Sequence, residues 1–454
     1  DESEQLLATQ QLQWGYGPQP PLYTWLLYPF VRLLGPGVLA LAIFKNALLF
    51  GIYAVTFANA RRIFSDLPRQ VVATVSLLFL PQIAWESQRD LSHSILVTFF
   101  AVLTFHVLLK LSERPRAHLY AVFGLCLGAG VLSKYSFLIF AAGLLAGAFT
   151  VPSFRRILWN WRILLSVLVA LAVLAPHLVW AEEHAAWVMA TSSKLKITAN
   201  QSWLLAVGTG LKNLLLSIGS HLGPIGLIYG VLCFRGKFSP FPRLPASVLV
   251  IRSSLLAMLA ILMAGIFVFK ITGMKDRWLM PLCVWMPLLL GAIFSATLNP
   301  VRLRRLFWIA ASVALVVSIL IPTRIWLAKM WGFTQTLNVP FAELAAELRQ
   351  NGVTNGCFIA HDNWVGGNLK QCFPGQFVLT PNISLEQRSP ETNGFLVWDA
   401  VKSEPVPPRL LKFASEFADV NTNGIRYVAV PMKFWPEKMS RLGCAPWSVN
   451  RRYP

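Results

Sequence analysis

Asp1 and Glu2 open the stretch DESEQLLATQQLQWGYGPQPPLYTWLL, in which a carboxylate pair runs into an aromatic, proline-rich segment and then an apolar one. Three later places put charge beside long apolar runs: Gln88-Arg89-Asp90, Lys134 between two such runs, and Lys275-Asp276-Arg277. Carboxylates can accept a proton from an attacking hydroxyl, and Lys or Arg at headgroup depth can hold a phosphate. These are the residue types that transfer from a lipid phosphate requires. Each also has a plainer role. Glu2 could orient Asp1, bind a metal or cap a helix, and Asp90 could start the helix after it, because acids favour first turns. Lys275 and Arg277 could snorkel from a helix end. Lys134 is costly in an apolar setting unless it is paired or lies at an interface.

The elements that must position these groups are membrane spans. The chain of 454 residues is 55% hydrophobic and 13% charged, and its mean hydropathy of +0.56 excludes an ordinary soluble domain. Apolar runs near 40 to 60, 68 to 86, 92 to 109, 117 to 133, 136 to 151, 163 to 181, 211 to 234, 253 to 271, 278 to 298 and 306 to 327 suggest about ten spans of a core roughly 30 Å thick. The net charge of +20 reads as topology rather than nucleic-acid binding. Alternate connections carry Arg61, Arg62 and Arg69; Lys110, Arg114 and Arg116; Arg155, Arg156 and Arg162; Arg235, Lys237, Arg243 and Arg252; and Arg302, Arg304 and Arg305, with only Asp66 and Glu113 among them. The positive-inside rule makes these cytoplasmic. Asp1, Glu2, Glu4, Glu86, Asp90, Glu182, Glu183 and Asp276 then all fall on the outer face.

Residues 1 to 39 read as an outer loop followed by a short interfacial helix, with Trp14, Tyr16, Tyr23, Trp25 and Tyr28 suited to headgroup depth. The polar stretch from about 182 to 206 is long enough to fold over a site. Beyond 328 the hydropathy falls. A helix over Phe341 to Gln350, strands in CFIA, QFVLT, GFLVW and RYVAV, and a helix in PPRLLKFASEF predict a small outer α/β domain over 328 to 454, after a membrane domain over 1 to 327. Cys126, Cys233 and Cys283 sit in apolar runs as packing residues. Cys357, Cys372 and Cys444 lie where a disulfide is permitted, and Cys357 with Cys372 is the candidate pair. His221 reads as structural, and Gly124 with Gly128 as spaced for close helix contact. There is no P-loop, Rossmann glycine pattern, zinc spacing or internal repeat. The chain starts with Asp and has no signal-peptide pattern, so a preceding helix is expected to lie outside it.

Asp1-Glu2, Leu12-Gln13-Trp14-Gly15-Tyr16 and Pro20-Pro21-Leu22 together resemble the first outer loop of the GT-C glycosyltransferases. The likeness is to the family of dolichyl-phosphate-mannose protein mannosyltransferases and bacterial lipid A aminoarabinose and galacturonic acid transferases. Gln88-Arg89-Asp90, Leu132-Ser133-Lys134-Tyr135 and Lys275 to Pro281 follow in the order that family shows, and Gln19 stands where its members often have His. The resemblance implies a polytopic α-helical GT-C fold and inverting transfer of a sugar from a polyprenyl-phosphate donor. The acceptor would be a lipid A, core or other glycolipid, or a protein, at the periplasmic face of a bacterial inner membrane. Asp1 would be the general base, with Glu2 and Asp90 as further catalytic candidates. Lys275 and Arg277, then Arg89 and Lys134, would bind the donor phosphate, while Trp14, Tyr16 and Gln19 position the loop or acceptor. No organic cofactor is implied, and a divalent metal stays open. A lipid-linked sugar flippase is the rival from another class, but transporters place polar sites at mid-membrane and often show repeated halves. A scaffolding membrane protein would leave the acidic loop without a role.

Overall fold

The computed structural model describes residues 1–189, 193, 195–197, 202–234, 244–383, 393–416 and 418–449. In chain order the first helices are α1 (Glu2–Ala8), α2 (Leu22–Leu34), α3 (Val38–Ile63), α4 (Leu67–Val75), α5 (Ser87–Arg89), α6 (His93–Glu113), α7 (Ala117–Ser133), α8 (Phe137–Thr150), α9 (Pro152–Leu158) and α10 (Ile163–Glu183). They continue with α11 (Ala185–Met189), α12 (Trp203–Cys233), α13 (Ala246–Phe269), α14 (Met280–Cys283), α15 (Met286–Ile293), α16 (Pro300–Trp326) and α17 (Ala328–Trp331). The C-terminal part holds α18 (Phe341–Gln350), β1 (Cys357–Ala360), α19 (Asn363–Cys372), β2 (Val378–Leu379), β3 (Gly394–Asp399), α20 (Pro408–Ala414), β4 (Ala418–Val420), β5 (Arg426–Met432) and β6 (Trp435–Val449).

Two compact units emerge. One contains residues 1–16, 24–44 and 318–454, the other residues 17–23 and 45–317. Residues 1–16 and 24–44 thus group with the sheet-bearing C-terminal part from 318 onward.

In the helical unit, runs that read as continuous spans are broken. Among the described residues, α3, α6, α10, α12, α13 and α16 are long and apolar enough to cross a membrane, and two bent helix pairs raise the number to eight if each is one span. This is fewer than the ten apolar runs. The run 68 to 86 bends by 73° between Leu67–Phe79 and Gln82–Arg89, and the run 136 to 151 forms α8, after which the chain turns by 119° into α9. Prolines explain the breaks: Pro81 and Pro152 sit at the bends, and Pro281 and Pro287 restart α14 and α15 in the run 278 to 298. The run 117 to 133 becomes α7, only 17 residues long.

Small residues set the helix spacing, as expected for Gly124 and Gly128. A Cβ on Gly124 would lie 2.2 Å from the Ser166 carbonyl oxygen, and one on Gly128 3.0 Å from that of Ala170, so α7 and α10 approach backbone to backbone. Gly143 and Gly147 play the same part for α8 against Met258 and Ser254 of α13. At one end of this unit the basic connections meet. Arg62 pairs with Glu113, Arg162 donates to the Pro115 carbonyl at 3.1 Å, and Arg69 reaches the Ser295 carbonyl at 3.3 Å. Arg235, Lys237 and Arg243 lie outside the described residues. Residue 93 starts α6 and residue 113 ends it, 21 residues or about 30 Å apart, so the His93 end belongs to the opposite face.

The sheet runs β2-β1-β3-β6-β4, with β5 also paired to β6. β2, β1 and β3 are parallel, and β6 is antiparallel to β3, β4 and β5. The expected strands at CFIA, QFVLT, GFLVW and RYVAV are present, although QFVLT contributes only Val378–Leu379. β6 escapes sequence reading because Pro436, Gly443 and Pro446 punctuate it, and α19 because Gly366-Gly367 falls in its interior. All six cysteines are thiols, which corrects the Cys357 to Cys372 pairing. The Cys357 Sγ faces the Phe358 carbonyl and the Cys372 Sγ that of Phe341, each at 3.7 Å. Burial pushes the Cys357 thiol up to about 12, which keeps it protonated and inert.

Candidate functional site

The acidic loop is built on the sheet unit. Asp1 occupies the N-cap position of α1 without a side-chain capping bond, and it is exposed, while Glu2 begins the helix half-buried. A seven-residue helix is too short to be stable alone, so α1 depends on what it packs against. Leu7 and Ala8 are fully buried and belong, with Tyr16, to the hydrophobic core formed by β1, β3 and α19. The Gln10 side chain accepts from the Val378 amide and donates to the Val378 carbonyl, both at 2.9 Å, so its amide group continues the sheet at the β2 edge.

The loop aromatics divide. Tyr16 is buried: its hydroxyl donates to the Gln11 carbonyl at 2.6 Å and accepts from the Gln13 amide at 3.0 Å. Trp14 stays 51% exposed and meets Trp25 edge to face at 5.3 Å, while the Trp25 indole donates to the Gln13 carbonyl at 2.8 Å. Thr24 donates to the buried Gln5 side chain at 2.9 Å. Gln19 is half-buried in the turn before Pro20. Of the loop residues singled out, Tyr16 has a structural post and Trp14 presents an exposed ring.

The helical unit carries a cavity of about 740 Å³, within the range of small-molecule sites. Glu86 lines it from just before α5, Asp90 and Leu91 from the corner between α5 and α6, Leu216, Ser217 and Ser220 from α12, and Met274, Lys275, Asp276 and Arg277 from the segment before α14. The helix-starting reading of Asp90 does not match its place: α6 begins at His93 with Ser92 at the cap position. Asp276 accepts from the Gln82 side chain at 2.9 Å and from the Arg277 amide at 2.7 Å. This carboxylate locks the segment so that Lys275 and Arg277 face the cavity. The same segment is anchored upstream. Ile197 bridges Ile271, the Gly273 amide donates to the Leu195 carbonyl at 2.8 Å, and Thr272 donates to the Lys196 carbonyl at 2.6 Å. The part of the polar stretch 182 to 206 that is described thus holds the cation-bearing loop; 190–192, 194 and 198–201 lie outside the described residues.

The other two expected phosphate ligands are not among the cavity-lining residues. Arg89 is exposed, pairs with Glu86 at 3.1 Å and lies 5.9 Å from the Trp85 ring, and the Lys134 ammonium donates to the Ser94 hydroxyl at 2.8 Å. Physically, a guanidinium three residues after a glutamate finds it across one helical turn. Lys134 is satisfied at a helix start, as its cost in an apolar run demands. Residues that pattern reading missed include Gln82, Glu86, Ser217 and Ser220. The signal available for Gln82 was polarity inside an apolar run, next to a proline. It sits in a π-helical turn over Gln82–Glu86, a distortion frequent at functional sites. His221, one residue beyond Ser220, is fully buried. Among the described residues no group of three or more His, Cys, Asp or Glu side chains could hold a metal ion.

Residues 18–180 match the model of the dolichyl-phosphate-mannose-protein mannosyltransferase family. The chain is 31% identical over 433 residues to the lipopolysaccharide core galacturonosyltransferase RgtB of Rhizobium johnstonii, covering 91% of this chain and 85% of that protein. It is 29% identical over 385 residues to RgtA of the same organism, also a lipopolysaccharide core galacturonosyltransferase, covering 84% and 77%. Among solved structures, ArnT from Cupriavidus metallidurans bound to undecaprenyl phosphate is similar in fold, with a TM-score of 0.60 at 13% identity over 98% of this chain and 93% of ArnT. A multi-pass bacterial membrane architecture, a small C-terminal sheet and this degree of identity establish that the chain belongs to the GT-C glycosyltransferases of the protein mannosyltransferase and ArnT family.

Proposed function

We propose that this glycosyltransferase moves a uronic acid residue, of the galacturonosyl class, from a polyprenyl-phosphate carrier to a sugar of the lipopolysaccharide core at the periplasmic face of the inner membrane. The observation that carries the reading is the pair Lys275 and Arg277 lining one cavity, on a segment that Asp276 and the 195–197 stretch hold in place. Two cations there suit a donor with both a phosphate and a sugar carboxylate. The names of the Rhizobium relatives support the sugar class and the acceptor, and the cavity's lining by Asp90 and Leu91 at the start of α6, with the Arg62–Glu113 pair at the other end of that helix, supports the outer face.

In this mechanism the acceptor oxygen attacks the anomeric carbon from the side opposite the phosphate. A C–O bond forms, the bond from carbon to phosphate oxygen breaks, and the anomeric configuration inverts. Asp1 takes the hydroxyl proton. A carboxylate is a weak base, so that proton moves late in the step. The polyprenyl phosphate leaves as an anion and needs no acid, only the positive charge of Lys275 and Arg277.

Replacing Asp1 by Asn keeps size and polarity but removes the base. Turnover should fall by about 10²- to 10⁴-fold, with folded protein still recovered from the membrane fraction. The assay is sugar transfer from a lipid-linked uronate donor to a core acceptor, and turnover near that of the unaltered protein would reject Asp1 as the base.

A further inference from the structure

We propose that Gly366 and Gly367 of α19 are positioning residues for the catalytic loop: their missing side chains form the seat that fixes α1 and, through it, Asp1. The inference rests on Asp1 as the base and assigns the small sheet domain a direct part in the reaction.

Four observations carry it. A Cβ on Gly367 would lie 2.5 Å from the Ser3 carbonyl oxygen and 2.6 Å from the Ser3 Cα, so α1 crosses α19 in backbone contact. A Cβ on Gly366 would stand 2.8 Å from Thr380 Cγ2 and 3.2 Å from Leu7 Cδ1, at the far end of the same short helix. Two consecutive glycines in the interior of a ten-residue helix oppose its formation, since glycine is the poorest helix former after proline. The close approach of α1 is what this weakness makes room for. Finally, the Gln10 amide holds both backbone groups of Val378, which pins the chain just after α1 to the sheet edge.

The consequence for Asp1 follows from chain geometry. Ser3 is two residues from Asp1, a reach of under about 7 Å, so a shift of Ser3 is transmitted to the carboxylate. Any side chain at 367 must push Ser3 away by roughly 1 Å to restore an ordinary contact, and misplacement of a reacting group by about 1 Å can cost on the order of 10²-fold in rate.

The test uses the full chain reconstituted in lipid. Gly367→Ala should lower kcat by about 10²-fold and leave the donor KM within about twofold, because the cavity residues are untouched. Hydrogen exchange should quicken over residues 2–8 and keep its protection in β1 and β3. Gln10→Ala removes the second anchor without adding bulk and should give the same pattern at roughly a tenth of the size in kcat. Gly375→Ala, where a Cβ meets nothing within 4 Å, should behave as the unaltered protein. Unchanged exchange over 2–8 in both Gly367→Ala and Gln10→Ala overturns the seat, whatever the activity. Quickened exchange with full kcat, alongside an inactive Asp1→Asn, overturns the positioning role while leaving Asp1 as base. Near-normal turnover by Asp1→Asn instead removes the base assignment, and the exchange measurement then reports on the seat alone.

Discussion

The cation-lined cavity of the helical unit and the α1 contact of the sheet unit, the two places proposed to hold reactive groups, are built from opposite materials. The cavity is made from charge placed where apolar helices break: Asp276 gripped by Gln82, and Lys275 and Arg277 on either side of it. The seat is made from absence of side chain, with Gly366 and Gly367 admitting the α1 backbone and a single Gln10 amide closing the sheet edge. Charge in an apolar chain is expensive and therefore conspicuous, whereas a glycine contact carries no mark of its purpose. The difference teaches that electrostatic function and geometric function are written with unequal visibility.

Charge removal should give the largest effect. Lys275→Ala with Arg277→Ala should lower kcat/KM for the lipid-linked donor by about 10²- to 10³-fold while the acceptor KM stays within about twofold. If donor dependence does not change, the cavity is not the phosphate site and the comparison loses its electrostatic half. Next comes a glycine with a packing role in the helical unit. Gly124→Val, forced against the Ser166 carbonyl, should destabilise the protein by about 1 to 3 kcal/mol in thermal unfolding while kcat at low temperature is kept. Loss of kcat without loss of stability would erase the contrast between packing glycines and Gly367, for which a placing role is proposed.

The smallest effect concerns the start of α19. The Asp362 carboxylate accepts from the Val365 amide at 2.8 Å and pairs with His361 at 3.0 Å. Burial alone would raise its proton affinity, but the His361 and Val365 bonds outweigh burial and hold the carboxyl below its usual range. A lowered folded value means that the stabilisation is complete above the unfolded value of about 3.9 and is lost as pH falls through the folded one. Asp362→Ala should therefore destabilise the sheet domain by about 1 kcal/mol at pH 7, read by hydrogen exchange in α19, with the gap to the unaltered protein closing as pH falls below the usual carboxylate range. A gap that persists there would assign the effect to packing rather than to the cap.

Much of the candidate site was legible because it is polar in an apolar chain. Lys275, Arg277 and Asp90 stand out as charges at the ends of apolar runs, and the structure puts all three on the cavity. Arg89 and Lys134 look the same in sequence, yet each is taken up by a neighbour, Glu86 or Ser94, because pairing depends on rotamer and helix phase rather than on residue type. Gln82 was hidden since one amide among aliphatic residues does not say what it faces. In the sheet, β1 and β3 could be read from their apolar runs, but β6 could not, because its long pairing with β3 and β5 overrides the turn preference of Pro436, Gly443 and Pro446.

By itself the sequence determined the membrane class and the family, since hydropathy and the order of short motifs are properties of the chain alone. Tertiary structure decided which cations share a cavity, where prolines break the spans, and that the acidic loop is anchored to the distant α19 and β2 edge. The last is a contact between residues hundreds of positions apart, Gln10 and Val378, and no local pattern encodes the partner on the far side of such a contact.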